Sequence, residues 1–297
     1  MQAFFSTYLL PLSLSIIMMG MGMSLEKRDF SNIFRYPKPV FAGLISQVII
    51  LPLLTLLIFY YTNLDPLVKV GFILITACAG GSATNIITHM LKGNLALSIS
   101  LTALNSLIIL VTLPIIVKLG LDFFIGVEKS IHLNVPDTVL NILLTIIIPT
   151  FIGMTIRYYF YRFTIKAQKP LRIILPLILF SVFVIMIFID DKDSQKDVTD
   201  YFYLIPWALF LNFASMFVVY LFSKSLKLGG KNNITISIEV GLKNSIVGIF
   251  VAESLLNNHE IAMVSVIYGS VTFFSTLLFG YLAKRMELIG FTYRNLF

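Results

Sequence analysis

Glu239 and Lys243 are the ionisable residues set deepest inside the long apolar runs of this chain. A charge at the centre of a bilayer costs at least ~2.5–3.5 kcal/mol, so residues of this kind face a cavity and take a partner. Their spacing puts them on one helical face with the acid first, the favourable order. They can form an ion-handling site or an ion pair that staples a bundle. Both lie in Glu239-Val240-Gly241-Leu242-Lys243-Asn244-Ser245, a polar, Gly-containing stretch at mid-run depth. A second such stretch is Ala79-Gly80-Gly81-Ser82-Ala83-Thr84-Asn85. Amides freed at a half-helix N-terminus attract an anion. Freed carbonyls with Ser, Thr and Asn oxygens hold a hard cation such as Na⁺. The bland alternative is a small-residue contact between two helices. Ser98 and Thr102 share one helical face that can turn towards Thr84-Asn85, or their hydroxyls can bond back to the preceding turn. Gln47 is a lone amide in another apolar run, the pattern of interhelical glue.

No HExxH, GxSxG, Walker loop or cysteine–histidine pair in register accompanies these residues, so neither an enzyme nor an ATP-driven pump within this chain is expected. The single cysteine, Cys78, lies in an apolar run and reads as a buried small hydrophobe. Hydrophobic residues make up 58% of the 297 and charged residues 12%, about half the share of a soluble domain. The formal charge of +7 gathers in short loops. That is a membrane orientation signal and argues against nucleic-acid binding.

A spanning helix needs about 20 mostly apolar residues. Nine runs meet that test, near 4–24, 39–61, 67–91, 95–119, 137–158, 172–189, 201–222, 233–256 and 260–283. The N-terminal run lacks a basic flank and a cleavage site, and is expected to be retained as a span. Lys27, Arg28, Arg35, Lys38, Lys92, Arg157, Arg162, Lys166, Lys169, Arg172, Lys224, Lys227, Lys231, Lys284, Arg285 and Arg294 fall in odd-numbered loops and the tail. Asp190, Asp191, Asp193, Asp197 and Asp200 fall in an even one. One alternation satisfies every loop: N-terminus outside, C-terminus cytoplasmic, in the plasma (inner) membrane. Each polar break occupies the second-to-last span of its half and the two spans run in opposite directions, the pattern of an inverted repeat. His89, Arg157, Glu253 and His259 lie near span ends and are expected at the interface.

At these residues the chain resembles the bile acid:sodium symporter family. The opening Ile16 to Leu25, the segment from Gly80 to Pro114, and Ile238 to Ser245 are similar to its ordered motifs. The resemblance implies an all-α polytopic membrane protein of nine spans, an inverted repeat with two crossing discontinuous helices. It implies a panel of spans 4–24, 137–158 and 172–189. The core would be 39–61, 67–91, 95–119, 201–222, 233–256 and 260–283. It also implies alternating-access transport of a small organic anion, bile-acid-like, pantoate-like or a keto acid. A first sodium site would use Thr84, Asn85, Ser98, Thr102 and Glu239. A second would use Gln47, Glu239, Val240, Leu242 and the residue at 243. Substrate would meet Ser82, Ala83 and Asn244. Members with the second sodium carry Gln where Lys243 stands. A protonated lysine has three donors and no acceptor, so it cannot ligate Na⁺. Lys243 is therefore expected to act as a tethered substitute for that ion, held by Glu239 and Gln47. Coupling to one sodium, to none, or to a proton all stay open. A non-transporting membrane binder or sensor on the same fold is the alternative.

Overall fold

Prolines and capping residues set the helix boundaries. In the computed structural model, which describes residues 4–26, 31, 35–126, 135–188 and 198–294, every long element is a helix. α1 is Phe5–Gly22, α2 Pro37–Tyr60, α3 Pro66–Ala77 and α4 Ser82–Met90. α5 is Leu95–Phe124, α6 Pro136–Tyr159, α7 Tyr161–Phe188 and α8 Leu204–Ser225. α9 is Gly230–Gly241, α10 Ser245–Phe250 and α11 His259–Arg294. Asp65 caps α3 by accepting the Leu67 amide at 2.8 Å, with Pro66 at the first helical position. Asn94 caps α5 by accepting the Leu97 amide at 3.1 Å. Pro11, Pro52 and Pro149 each follow a widened turn, in which the amides of Leu10, Leu51 and Ile148 reach back to the carbonyls of Phe5, Ser46 and Leu143. A proline ring collides with the carbonyl four residues earlier and donates nothing, and the wider turn relieves the collision.

Seven helices among the described residues are long and apolar enough to cross a membrane, and an eighth results if the bent α7 counts as one span. The chain is a multi-pass helical membrane protein. α3 and α4, with 12 and 9 residues, are each too short to cross alone, so the run at 67–91 is a broken element. The expected span at 172–189 begins earlier. Tyr161–Leu171 is also helical and meets Ile173–Met186 at 46°, so Arg162, Lys166 and Lys169 lie on an exposed helical turn instead of in a loop. Pro170 supplies the bend. The expected tail at 284–294 likewise continues α11. Lys27, Arg28, Asp190, Asp191, Asp193 and Asp197 lie outside the described residues.

α1 packs mainly on α6, closely enough that a Cβ at Gly22 would stand 2.1 Å from the Thr150 carbonyl oxygen and one at Gly153 2.1 Å from that of Met19. α7 joins this pair, with Leu175 against Gly20. Elsewhere α8 packs on α9 and α11, and α3 on α5 and α11. Phe59 and Phe72 stack at 4.3 Å in the largest apolar cluster. α2 instead turns Phe41, Ile45, Ile49, Leu53 and Leu57 outwards at four-residue spacing, a stripe for lipid. The run from Gly230 to Leu255 is the opposite case: 94% of an 18-residue window within it is buried. Only such enclosure lets its polar residues stand at membrane depth.

Candidate functional site

The site forms where two breaks touch. After α3 the chain extends at Cys78 (φ −66, ψ 154) and stays extended to Gly81 (φ −93, ψ 166), where α4 starts. After α9 it extends at Leu242 (φ −101, ψ 123) and restarts beyond Asn244. Backbone groups freed this way need partners inside the protein. The Asn244 amide donates to the Ala79 carbonyl at 2.9 Å, tying one break to the other. The Gly241 carbonyl accepts from Asn212 Nδ2 at 2.7 Å and from the Tyr268 hydroxyl at 3.0 Å. Ser275 in turn donates to Asn212 Oδ1 at 2.7 Å. Asn244 accepts the Val247 amide at 3.5 Å and so caps α10, whereas no side chain caps α4 at Gly81.

Glu239 lies in the last turn of α9 against the first break. A Cβ on Gly80 would stand 2.7 Å from its Oε2. Ser98 donates to Glu239 Oε1 at 2.5 Å, and Thr102 reaches Oε1 and Oε2 at 3.3 and 3.1 Å. Thr84 and Thr102 hydroxyls are 3.3 Å apart, and Thr84 also donates to the Gly81 carbonyl at 2.9 Å. All four side chains are buried. One carboxylate and three hydroxyls from α4, α5 and α9 thus converge in a space closed to lipid. Asn85, next along α4, is half-buried, and its Oδ1 has no hydrogen-bond partner. The structure therefore gathers Thr84, Ser98, Thr102 and Glu239, with Asn85 beside them.

The expected clamp on Lys243 is absent. Its Nζ has no hydrogen-bond partner although the residue is 6% exposed. Glu239 is occupied by Ser98 and Thr102, and Gln47 Oε1 accepts instead from Asn105 Nδ2 at 2.7 Å. The ammonium remains within electrostatic range of Glu239 and of Cys78, the last residue before the first break. Val240 and Leu242 are buried beside it. Gln47 sits in the widened turn ahead of Pro52, its Nε2 unpaired, as is Asn105 Oδ1.

Four participants were not foreseen: Asn105, Asn212, Tyr268 and Ser275. Asn105 continues the Ser98–Thr102 face of α5 by a further turn, and that register was the available signal. Asn212 stood out as an amide between Leu211 and Phe213. Among the residues expected at the interface, Glu253 is instead buried and bonded to His259 at 2.7 Å. Arg157 bonds Glu26 and the Met23 carbonyl, the latter at 3.2 Å.

An all-helical membrane bundle with two broken helices in contact, and a single buried carboxylate at the contact, is the architecture of an ion-handling membrane carrier. The sequence comparisons agree: residues 11–197 match the sodium bile acid symporter family, and the chain belongs to it. It is 28% identical over 246 residues to "Probable sodium/metabolite cotransporter BASS1, chloroplastic" of Arabidopsis thaliana, covering 82% of this chain and 59% of the relative. It is 29% identical over 236 residues to "Uncharacterized sodium-dependent transporter YocS" of Bacillus subtilis (strain 168), covering 79% of this chain and 70% of that one. The human "Ileal sodium/bile acid cotransporter" shares 26% over 150 residues, half of this chain and 42% of its own.

Proposed function

We propose that this chain is a secondary transporter that moves a small organic anion by alternating access, coupled to sodium at Glu239. The observation that carries this reading is the buried carboxylate at the crossing, ringed by Thr84, Ser98 and Thr102 hydroxyls, with the unpaired Asn85 oxygen adjacent. Hard oxygens around a single negative charge suit one monovalent cation. Hydroxyls that now donate to Glu239 can rotate their lone pairs towards an ion, so the side chains need not move far. The relatives' names, sodium/metabolite and bile acid cotransporters, support the same cargo classes.

The second sodium is replaced, in this reading, by the fixed charge of Lys243. The ammonium is buried in the same break and within electrostatic range of Glu239, without ligating anything. Sodium coupling is then to one ion per cycle. Nine crossings, N-terminus outside and C-terminus in the cytoplasm of the plasma membrane, accommodate the broken α3–α4 and α9–α10 as one span each. α2 to α5 with α8 to α11 form the core that carries the site. α1, α6 and α7 form the panel against which it moves, in keeping with the tight α1–α6 contact at Gly22 and Gly153.

The test is uptake into proteoliposomes of a labelled panel of bile acids, pantoate, keto acids and dicarboxylates at graded external sodium. Wild type is expected to accumulate one class with a hyperbolic sodium dependence, and Glu239→Gln to lose it. Lys243→Gln restores an acceptor and is expected to turn the dependence sigmoidal. Equal steepness in both proteins ends the ion-substitute idea, and binding without accumulation ends the transport reading.

A further inference from the structure

On the reading that sodium is the coupled ion, we propose that Thr88 and Thr235 line a passage by which the cation leaves Glu239, with the Lys92–Asn94 turn as the plug at its end. The carboxylate site draws Thr84 from α4, Ser98 from α5 and Glu239 itself from α9. A second polar residue stands four positions from each: Thr88 on α4, Asn94 at the cap of α5, and Thr235 on α9. Four residues make one turn, so each continues the face of its counterpart in the site. The three second residues meet at one end. The Asn94 amide donates to Thr235 Oγ1 at 2.9 Å. A Cβ on Gly93 would stand 2.7 Å from Thr235 Oγ1 and 3.0 Å from Thr88 Cγ2. A second polar ring therefore lies one turn from the first, on the cytoplasmic side in the proposed orientation.

Thr88 points to an ion. Thr55, Thr76, Ser100, Ser106 and Thr235 donate back to the carbonyl four residues earlier at 2.7–2.9 Å, the usual resting place of a hydroxyl inside a helix. Thr88 is fully buried, yet its Oγ1 has no hydrogen-bond partner among the described residues. Asn85 Oδ1, one turn earlier on α4, is unpaired as well. Thr235 Oγ1 accepts one bond and donates one, which leaves it a lone pair. A hard cation leaves an enclosed site by exchanging one set of oxygens for the next, each holding it weakly enough to let go. Asn94 closes the far end. Its side chain accepts the Leu97 amide at 3.1 Å and donates to Asn232 Oδ1 at 2.9 Å, while its own amide holds Thr235. Gly93 has no side chain, and a methyl group there would lack room. Release requires this turn to swing off Thr235 and Asn232. The ion then leaves through the interior of the core and not through the contact between the two breaks.

The experiment follows radioactive sodium leaving purified protein after rapid dilution, in wild type, Thr88→Val and Asn232→Ala, with the equilibrium sodium midpoint read by thermal shift on the same samples. A group met only on the way out changes rates and leaves the equilibrium alone. Thr88→Val keeps the shape and drops an unpaired hydroxyl, so its thermal midpoint should not fall. It is expected to release sodium about tenfold more slowly, with the sodium midpoint within about twofold of wild type. Asn232→Ala loosens the plug and is expected to release faster. In a Cys78→Ala background, Thr88→Cys is expected to react with a small cationic methanethiosulfonate, faster when Asn232→Ala is added and more slowly in saturating sodium. Wild-type release from Thr88→Val overturns the passage, as does a change in rate that the sodium midpoint matches, or an inert thiol at position 88. The sodium reading fails separately. If wild type binds no sodium, that reading falls and the thiol decides alone: a reaction that Asn232→Ala speeds keeps a cation passage, and no reaction removes it.

Discussion

Gly80 and Gly81 look equivalent in sequence and should respond oppositely to a single added methyl group. Neither is among the described glycines with positive φ, so alanine is permitted at both on backbone grounds. Space separates them. At Gly81 the new Cβ meets its nearest atoms at 4.0 Å, and the substitution should be near neutral. At Gly80 it would stand 2.7 Å from Glu239 Oε2. Ordinary carbon–oxygen contact requires the carboxylate to retreat by roughly 0.5–0.8 Å. That exceeds the ~0.2 Å within which metal–ligand distances hold, and it pulls Oε2 from the Thr102 hydroxyl now 3.1 Å away. Overpacking of this kind costs about 1–3 kcal/mol. If half of the upper figure falls on the cation complex, sodium binding weakens about tenfold. Sodium titration of thermal stability and of uptake, on Gly80→Ala and Gly81→Ala side by side, measures both terms. Wild-type sodium dependence in Gly80→Ala, or a loss confined to Gly81→Ala, would refute the placement of Glu239 against the first break.

The remaining perturbations probe what supports that site. Ser98→Ala removes the shortest bond to Glu239, 2.5 Å, and should weaken sodium-dependent stabilisation by about 1.5–3 kcal/mol, read from the sodium midpoint. Asn212→Leu leaves the Gly241 carbonyl with Tyr268 alone, and Tyr268→Phe leaves it with Asn212 alone. Each should lower the thermal midpoint by the equivalent of about 1–3 kcal/mol, with the double variant worse than either single one. Gly153→Ala sets a methyl 2.1 Å from the Met19 carbonyl oxygen, where only backbone can yield. Size-exclusion profiles should show loss of monodisperse protein, while Gly126→Ala, whose Cβ meets nothing within 4 Å, tests strain alone at φ +87.

Polar residues inside apolar runs made much of the site readable in advance. Thr84, Ser98, Thr102 and Glu239 carry chemistry that lipid cannot solvate, so their presence at span depth already implied a shared enclosure. The breaks were readable for the same reason: Gly-containing polar stretches interrupt an otherwise unbroken hydropathic run. What holds the breaks open was not readable. Tyr268 has the profile of a core aromatic, and only the fold reveals that its hydroxyl serves Gly241. The partners of Lys243 were inferred from one-dimensional proximity to Glu239, which the structure answers differently because Ser98 and Thr102 reach that carboxylate first. Helix α7 starts earlier than its charge pattern suggests, because basic residues at 162–169 resemble a loop by charge while nothing before Pro170 stops the helix.

On the proposed function the two expected ligand sets overlap, and such an overlap would by itself produce coupling. Sodium at Glu239 would draw α4, α5 and the end of α9 together through Thr84, Ser98 and Thr102. An anion at Ser82, Ala83 and Asn244, where the family resemblance puts substrate, would fix the start of α4 against the α9–α10 break. Both therefore order the same two breaks, already joined by the Asn244–Ala79 bond, and the first ligand to bind lowers the ordering cost of the second. Charge acts in the same direction. An uncompensated Glu239 repels an anion held there, and a bound cation removes that repulsion inside a weakly screening interior. Linkage makes the effect reciprocal, so any factor by which sodium raises anion affinity is the factor by which the anion raises sodium affinity. On the proposed reading, Lys243 would influence how large that factor is. If protonated, it would offset part of the repulsion before sodium arrives, and the chain would then show weaker sodium–anion coupling than its Lys243→Gln variant.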